Sequence, residues 1–259
     1  MSGVIEHTAS RVCGLTRLRL VAPPPEWLYR VGRSKWGPMN PPQRDHGPAK
    51  AWSRWDTPGG RTLYAAATAE AAFGEVVAYL KESLPTAPLS NFFDDVTPDE
   101  TGLSLAGAVR AEMPNTPMHT AVNAGWRDKR RLYRLTPPPT GWFVEICHAD
   151  SVAALNAAAN PPHPGRLTLS DLTGEDRALT TKIARWVRMR VLDDGSQPLG
   201  IRYVSKHGSN LDVYALWLRQ VDDDKDLSRE PTKLKSEQLI KIDHPDLRAA
   251  AHRNGLKIF

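Results

Sequence analysis

Five side chains in this sequence could share one piece of chemistry: Arg30, Arg54, Tyr64, Glu75 and Ser205. They supply two guanidinium groups suited to phosphate, an aromatic ring, one carboxylate and one hydroxyl, with no strong general base among them. What is absent narrows the chemistry further. The chain has no GxxxxGK[ST] phosphate loop, no GxGxxG after a strand, no HExxH and no GxSxG elbow. Its eight histidines fall at no metal-ligand spacing, and its two cysteines, Cys13 and Cys147, stand far apart without flanking ligands. Such a set suits a reaction whose leaving group is already good and in which the protein chiefly stabilises developing positive charge.

Cleavage of a nicotinamide N-glycosidic bond is a reaction of that kind. The base departs neutral, the ribose becomes oxocarbenium-like, and a carboxylate beside the anomeric carbon gains strength as the charge develops. Arginines would hold the pyrophosphate, a ring would stack on nicotinamide, and a small hydroxyl would bond its carboxamide or the ribose. Each residue also has a plainer use. Glu75 could be one half of a buried ion pair with Arg30 or Arg54, Tyr64 a core tyrosine, Ser205 a strand-end cap, and Arg30 an edge residue with its stem packed and its head in water.

The elements that must position these groups are legible in part. Residues 27–31 alternate as a strand, with Leu28 and Arg30 on one face and Trp27, Tyr29 and Val31 on the other. Arg54 precedes the turn Thr57-Pro58-Gly59-Gly60, and Tyr64 lies in the short strand that follows. Thr68 then caps a helix whose apolar stripe is Ala69, Ala72, Phe73, Val76, Val77 and Leu80, with Glu75 beside it. Residues 200–205 read as a strand with Ile201, Tyr203 and Ser205 on one face, and 213–218 as another after a turn-like segment. A strand at 142–147, a helix from Asp150 to Ala159, a helix opened by Thr173 with Asp176 at capping-box spacing, and a C-terminal helix begun at His244-Pro245 complete the regular elements. The acidic run 222–226 reads as a solvated loop.

At 259 residues with 41% hydrophobic content, the chain has enough apolar material for one large domain. The expected organisation is an extended lead-in over 1–26, ending in Pro23-Pro24-Pro25, then a single domain over 27–259 with a proline-rich insertion at about 81–126. The net charge of +5 and the pI near 9.3 bear on solubility before they bear on a ligand. The densest basic group, Arg127 to Arg131 with Arg134, reads as a solvated face or subunit contact, and direct nucleic-acid binding is not expected. No secretory signal or membrane-length apolar run is visible, so the cytoplasm is the expected compartment.

In the contexts of LYRVG for Arg30, AAFGEVVAYL for Glu75 and GIRYVSKHG for Ser205, the sequence resembles the RES-domain family, named for its arginine, glutamate and serine. SRWD before a proline-glycine turn and TLYAA extend the resemblance to Arg54 and Tyr64, with Asp56 standing where an asparagine is frequent. The resemblance runs from about Trp27 to Leu218. It implies an α+β fold, a mixed sheet with flanking helices as in the ADP-ribosyltransferase toxins. It also implies an intracellular toxin that consumes NAD by hydrolysis or phosphorolysis, with NAD as substrate, inorganic phosphate as the alternative co-substrate and no bound cofactor. In that reading Glu75, Arg30 and Ser205 are catalytic, while Arg54 and Tyr64 bind substrate. A helix-turn-helix antitoxin is the implied partner, and self-association is left open. Transfer of ADP-ribose to a macromolecule, or a RES-like binding module without catalysis, are the alternatives.

Overall fold

The computed structural model describes residues 9–45, 49, 52–80, 121–163 and 165–259. Nine strands form one curled mixed sheet: β1 Ser10–Val12, β2 Arg19–Val21, β3 Leu28–Arg33, β4 Thr62–Ala66, β6 Arg130–Thr136, β7 Phe143–Glu145, β8 Gly200–Ser205, β9 Gly208–Trp217 and β10 Lys233–Leu239. Their spatial order is β1-β2-β7-β8-β9-β4-β3-β6-β10. Every neighbouring pair is antiparallel except β7 with β8. A separate parallel pair joins β5, Ala121–Val122, to β11, Lys257–Ile258. Among the described residues seven helices flank the sheet: α1 Ala69–Val77, α2 Ala124–Asp128, α3 Ala149–Ala157, α4 Leu169–Thr173, α5 Arg177–Arg188, α6 Arg219–Asp222 and α7 Pro245–Arg253. The architecture is therefore α+β, and none of these helices is long and apolar enough to cross a membrane.

The middle of the sheet follows from alternation. In β4, Leu63 and Ala65 turn to a core shared with Leu28, Tyr133, Tyr214 and Leu216, while Ala66 packs on the opposite side with α1. In β8, Ile201 and Tyr203 enter the core that holds Trp55, Val144, Ile183 and Trp217. Gly200 opens this strand where no side chain fits: a Cβ there would lie 1.9 Å from the carbonyl oxygen of Ala215. That close approach lets β8 lie against β9, whose ten residues make a longer strand than the expected 213–218 because it begins at Gly208.

Helix α1 starts where its cap dictates, with the Thr68 hydroxyl accepting from the Ala71 N–H at 3.1 Å. Phe73 and Val77 bury against Leu247, Ala250 and Ala251 of α7, and an Arg253 to Glu70 ion pair ties the two helices at the surface. Helix α7 begins as expected, with His244 at the N-cap and Pro245 at the first helical position.

Several elements differ from the sequence reading. The segment expected as a lead-in carries β1 and β2, which extend the sheet beyond β7. Thr173 ends α4 instead of opening α5: the capping box is Thr168 with Asp171, and Asp176 caps α5 alone. Helix α3 is capped by His148, whose ring accepts from the Asp150 N–H. The basic segment from Arg127 ends α2 and forms β6, inside the sheet between β3 and β10, with Lys129 exposed and its arginines half-buried. Within the acidic run, the side chain of Asp222 is only 6% exposed and pairs with Arg61 and Arg188. Of the expected insertion, residues 81–120 lie outside the described residues.

Candidate active site

A cleft of about 660 Å³ opens between α1, the ends of β3 and β4, the loop before β4, and the turn joining β8 to β9. That volume lies within the range of small-molecule sites, roughly 300–1,000 Å³. Arg30, Arg54, Tyr64 and Glu75 all line it, so the fold brings together residues up to 45 positions apart in sequence. Ser205 does not reach the cleft surface. It sits behind Glu75, buried, and its hydroxyl donates to Glu75 Oε1 while accepting from the His207 N–H at 3.0 Å.

Arg30 is placed by a parting of strands. β3 and β4 pair only at Tyr29 and Ala66, and Arg30, the next residue, sends Nη1 to the free Tyr64 carbonyl at 2.9 Å. Its Nε has no hydrogen-bond partner among the described residues, and burial pulls the guanidinium down to about 10. The head group is thus not in water, as an edge arginine's would be. Arg54 is 7% exposed, donates to the Thr173 carbonyl at 2.9 Å, and lies 5.9 Å from the centre of the Tyr203 ring. Its Nε is likewise without a described partner.

The cleft's other cations are already engaged. Arg44 pairs with Asp56, and both Arg177 and Lys206 pair with Glu175. Among the described residues Arg30 and Arg54 have no carboxylate partner, and Glu75 is in no ion pair, so the plain ion-pair use of Glu75 is not what the described contacts contain. Two half-satisfied guanidinium groups therefore face the same cleft as a carboxylate that accepts one hydroxyl hydrogen bond. This arrangement can take a phosphorylated ligand whose cationic or charge-developing part meets Glu75.

Tyr64 lies between the cleft and the core. Its ring lines the cleft, while its hydroxyl donates to Asp56 Oδ1 and accepts from the Trp55 N–H, each at 2.9 Å. Burial, then the charge of Asp56, hold this phenol well above the usual tyrosine range, so it stays protonated. Asp56 is 2% exposed and also accepts from Arg44 Nε at 2.6 Å and the Ser53 N–H at 2.9 Å. It shapes the turn that presents Arg54.

Sequence reasoning did not assign roles to Tyr79, Tyr203, Lys206 or Asp56, although two signals were present. Tyr203 shares its strand face with Ser205, and Tyr79 stands one helical turn beyond Glu75. Among the described residues no cluster of three or more His, Cys, Asp or Glu could hold a metal ion.

The Ser205 hydroxyl bonds Glu75, and Ser205 is not among the residues that line the cleft. Ser205→Ala is expected to lower turnover by tenfold to a hundredfold, the equivalent of about 1.5–3 kcal/mol for a hydrogen bond to a charged group. Steady-state kinetics on the purified variant checks this, and an unchanged rate would mean that Glu75 is held without it.

In sequence comparisons, the family described as RES domain matches residues 28–234. No curated protein and no solved structure matches the chain.

Proposed function

The chain belongs to the RES-domain family, a family of toxin domains, and from that premise we propose that it consumes NAD by breaking the bond between nicotinamide and ribose. The single observation that carries this reading is the charge layout of the cleft. Arg30 and Arg54 have no described carboxylate partner and would take the two phosphates, while Glu75, backed by Ser205, would lie against the ribose.

The pair of electrons in the C1′–N bond leaves with the ring nitrogen, so the pyridinium departs as neutral nicotinamide and the sugar is left oxocarbenium-like. Glu75 stabilises that charge at the moment it develops. Water captures the cation and releases a proton to solvent, giving ADP-ribose; inorganic phosphate in its place gives ADP-ribose-1-phosphate. The protonated Tyr64 and the buried Tyr203 form the floor, where they exclude water from the arginines.

Incubating the purified protein with NAD, with and without phosphate, tests the reading. Release of nicotinamide is expected together with one of the two sugar products. A labelled macromolecule would indicate transfer to a protein or nucleic acid, and NAD left intact would overturn the proposal.

A further inference from the structure

Resting on the reading above, we infer that Tyr79 is the specificity-determining residue for the leaving group: its ring is the platform against which the nicotinamide stacks as it departs. Ala72, Glu75, Val76 and Tyr79 all line the cleft, at the i, i+3, i+4, i+7 spacing that makes them one continuous wall of the helix and its last turn. Along that wall the residues grade from inside to outside. Ala72 is buried, Glu75 and Val76 are half-buried, and Tyr79 is 66% exposed. Across the cleft the floor residues Arg54 and Tyr203 are buried, whereas Lys206 and Glu175 are exposed beside Tyr79 at the mouth.

The order matters because the base must leave through the mouth while the phosphates stay with the buried arginines. Residues one turn apart on a helix have Cβ atoms about 5–6 Å apart, so Glu75 and Tyr79 are adjacent on this wall and one nucleoside can meet both. A ribose against Glu75 therefore puts its base level with Tyr79.

Tyr79 is also held in place, which an ordinary exposed tyrosine is not. Its ring meets the His207 ring edge to face, with centroids 6.1 Å apart and planes at 79°, and Lys206 Nζ lies 5.7 Å from its centre. His207 in turn donates its N–H to the Ser205 hydroxyl that orients Glu75. One anchor thus fixes both the carboxylate and the ring. Two of the other aromatic groups of the cleft are less free to stack on a departing base. The Tyr64 hydroxyl is clamped by Asp56 and Trp55, and Tyr203 is buried against Trp55 and Arg54.

The test compares Tyr79→Ala and Tyr79→Phe with the parent chain by steady-state kinetics and by saturation-transfer NMR with nicotinamide alone. Loss of one stacking ring should raise the KM for NAD and the nicotinamide inhibition constant together, each about tenfold. Tyr79→Phe keeps the ring and should restore both to within about twofold, with circular dichroism showing both variants folded. Unchanged constants in Tyr79→Ala, or loss in Tyr79→Phe equal to that in Tyr79→Ala, would overturn the assignment. If the parent chain leaves NAD intact, the reading of the reaction fails and the NMR arm decides alone. Nicotinamide signal present in the parent and lost in Tyr79→Ala upholds the platform, and signal equal in both or absent from both removes it.

Discussion

Turnover of NAD is expected to fall about a thousandfold when Glu75 is replaced by glutamine, with the fold unchanged. The magnitude follows from charge alone. Two unit charges about 4 Å apart at an effective dielectric near 20 attract by about 4 kcal/mol, which is roughly a factor of a thousand in rate. The amide has the same size and keeps an oxygen that can accept from Ser205, so the hydrogen bond behind the residue survives while the negative charge that the proposed reaction uses does not. Glu75 is half-buried and in no ion pair among the described residues, so its neutralisation strands no partner cation. Unfolding stability should therefore stay within about 0.5 kcal/mol of the parent. The check is a pair of measurements on one preparation, nicotinamide release and urea unfolding. Full activity would show that Glu75 does not meet the developing charge, and a large loss of stability would show that it is held by a cation.

The parts of the site that could be read from sequence are those whose partners lie close along the chain. Thr68 as a cap, the stripe of α1 and the alternation of β4 and β8 are local patterns, and each of these elements stands where its pattern puts it. The strand β6 is hard to read in the sequence because its three arginines, Arg130, Arg131 and Arg134, break up the apolar positions Leu132, Tyr133 and Leu135. Their charge is accommodated by stacking, with Arg130 over the Trp126 ring and Arg134 near Trp27 and Tyr29, so a basic segment can run through a sheet. β10 carries a pattern too weak to read, since as an edge strand it is exposed along most of its length. Asp222 was illegible for another reason. Its partners Arg61 and Arg188 are 161 and 34 residues away, and nothing in a run of aspartates distinguishes the one that will be buried. The same holds for Ser205. Its residue type and strand face were visible, but only the three-dimensional arrangement puts it behind Glu75 instead of in the cleft.

Asp56→Ala is expected to destabilise the protein by about 3 kcal/mol or more, through the floor of the cleft and not through the sheet. Its carboxylate holds three donors at once: Arg44 Nε, the Ser53 N–H and the Tyr64 hydroxyl. Alanine leaves all three without that acceptor at a position only 2% exposed, and each buried group so stranded costs about 1–3 kcal/mol. Arg44 recovers part of the loss because its side chain is 23% exposed and can turn to water, which puts the total near the lower end for a broken buried pair. Asparagine separates geometry from charge. Its oxygen, at the position of Oδ2, can still accept from both Arg44 and Ser53, and its amide can donate to the Tyr64 oxygen, so only the Tyr64 O–H loses its acceptor and Asp56→Asn should cost about 1–2 kcal/mol. Turnover should follow the same order, since this turn presents Arg54 and fixes the Tyr64 ring: severely reduced in the alanine variant and mildly in the asparagine variant. Urea unfolding of the two variants, with amide hydrogen exchange at Trp55, checks the series. If the alanine variant were as stable as the asparagine variant, the three donors would have other acceptors and Asp56 would not be what shapes the floor.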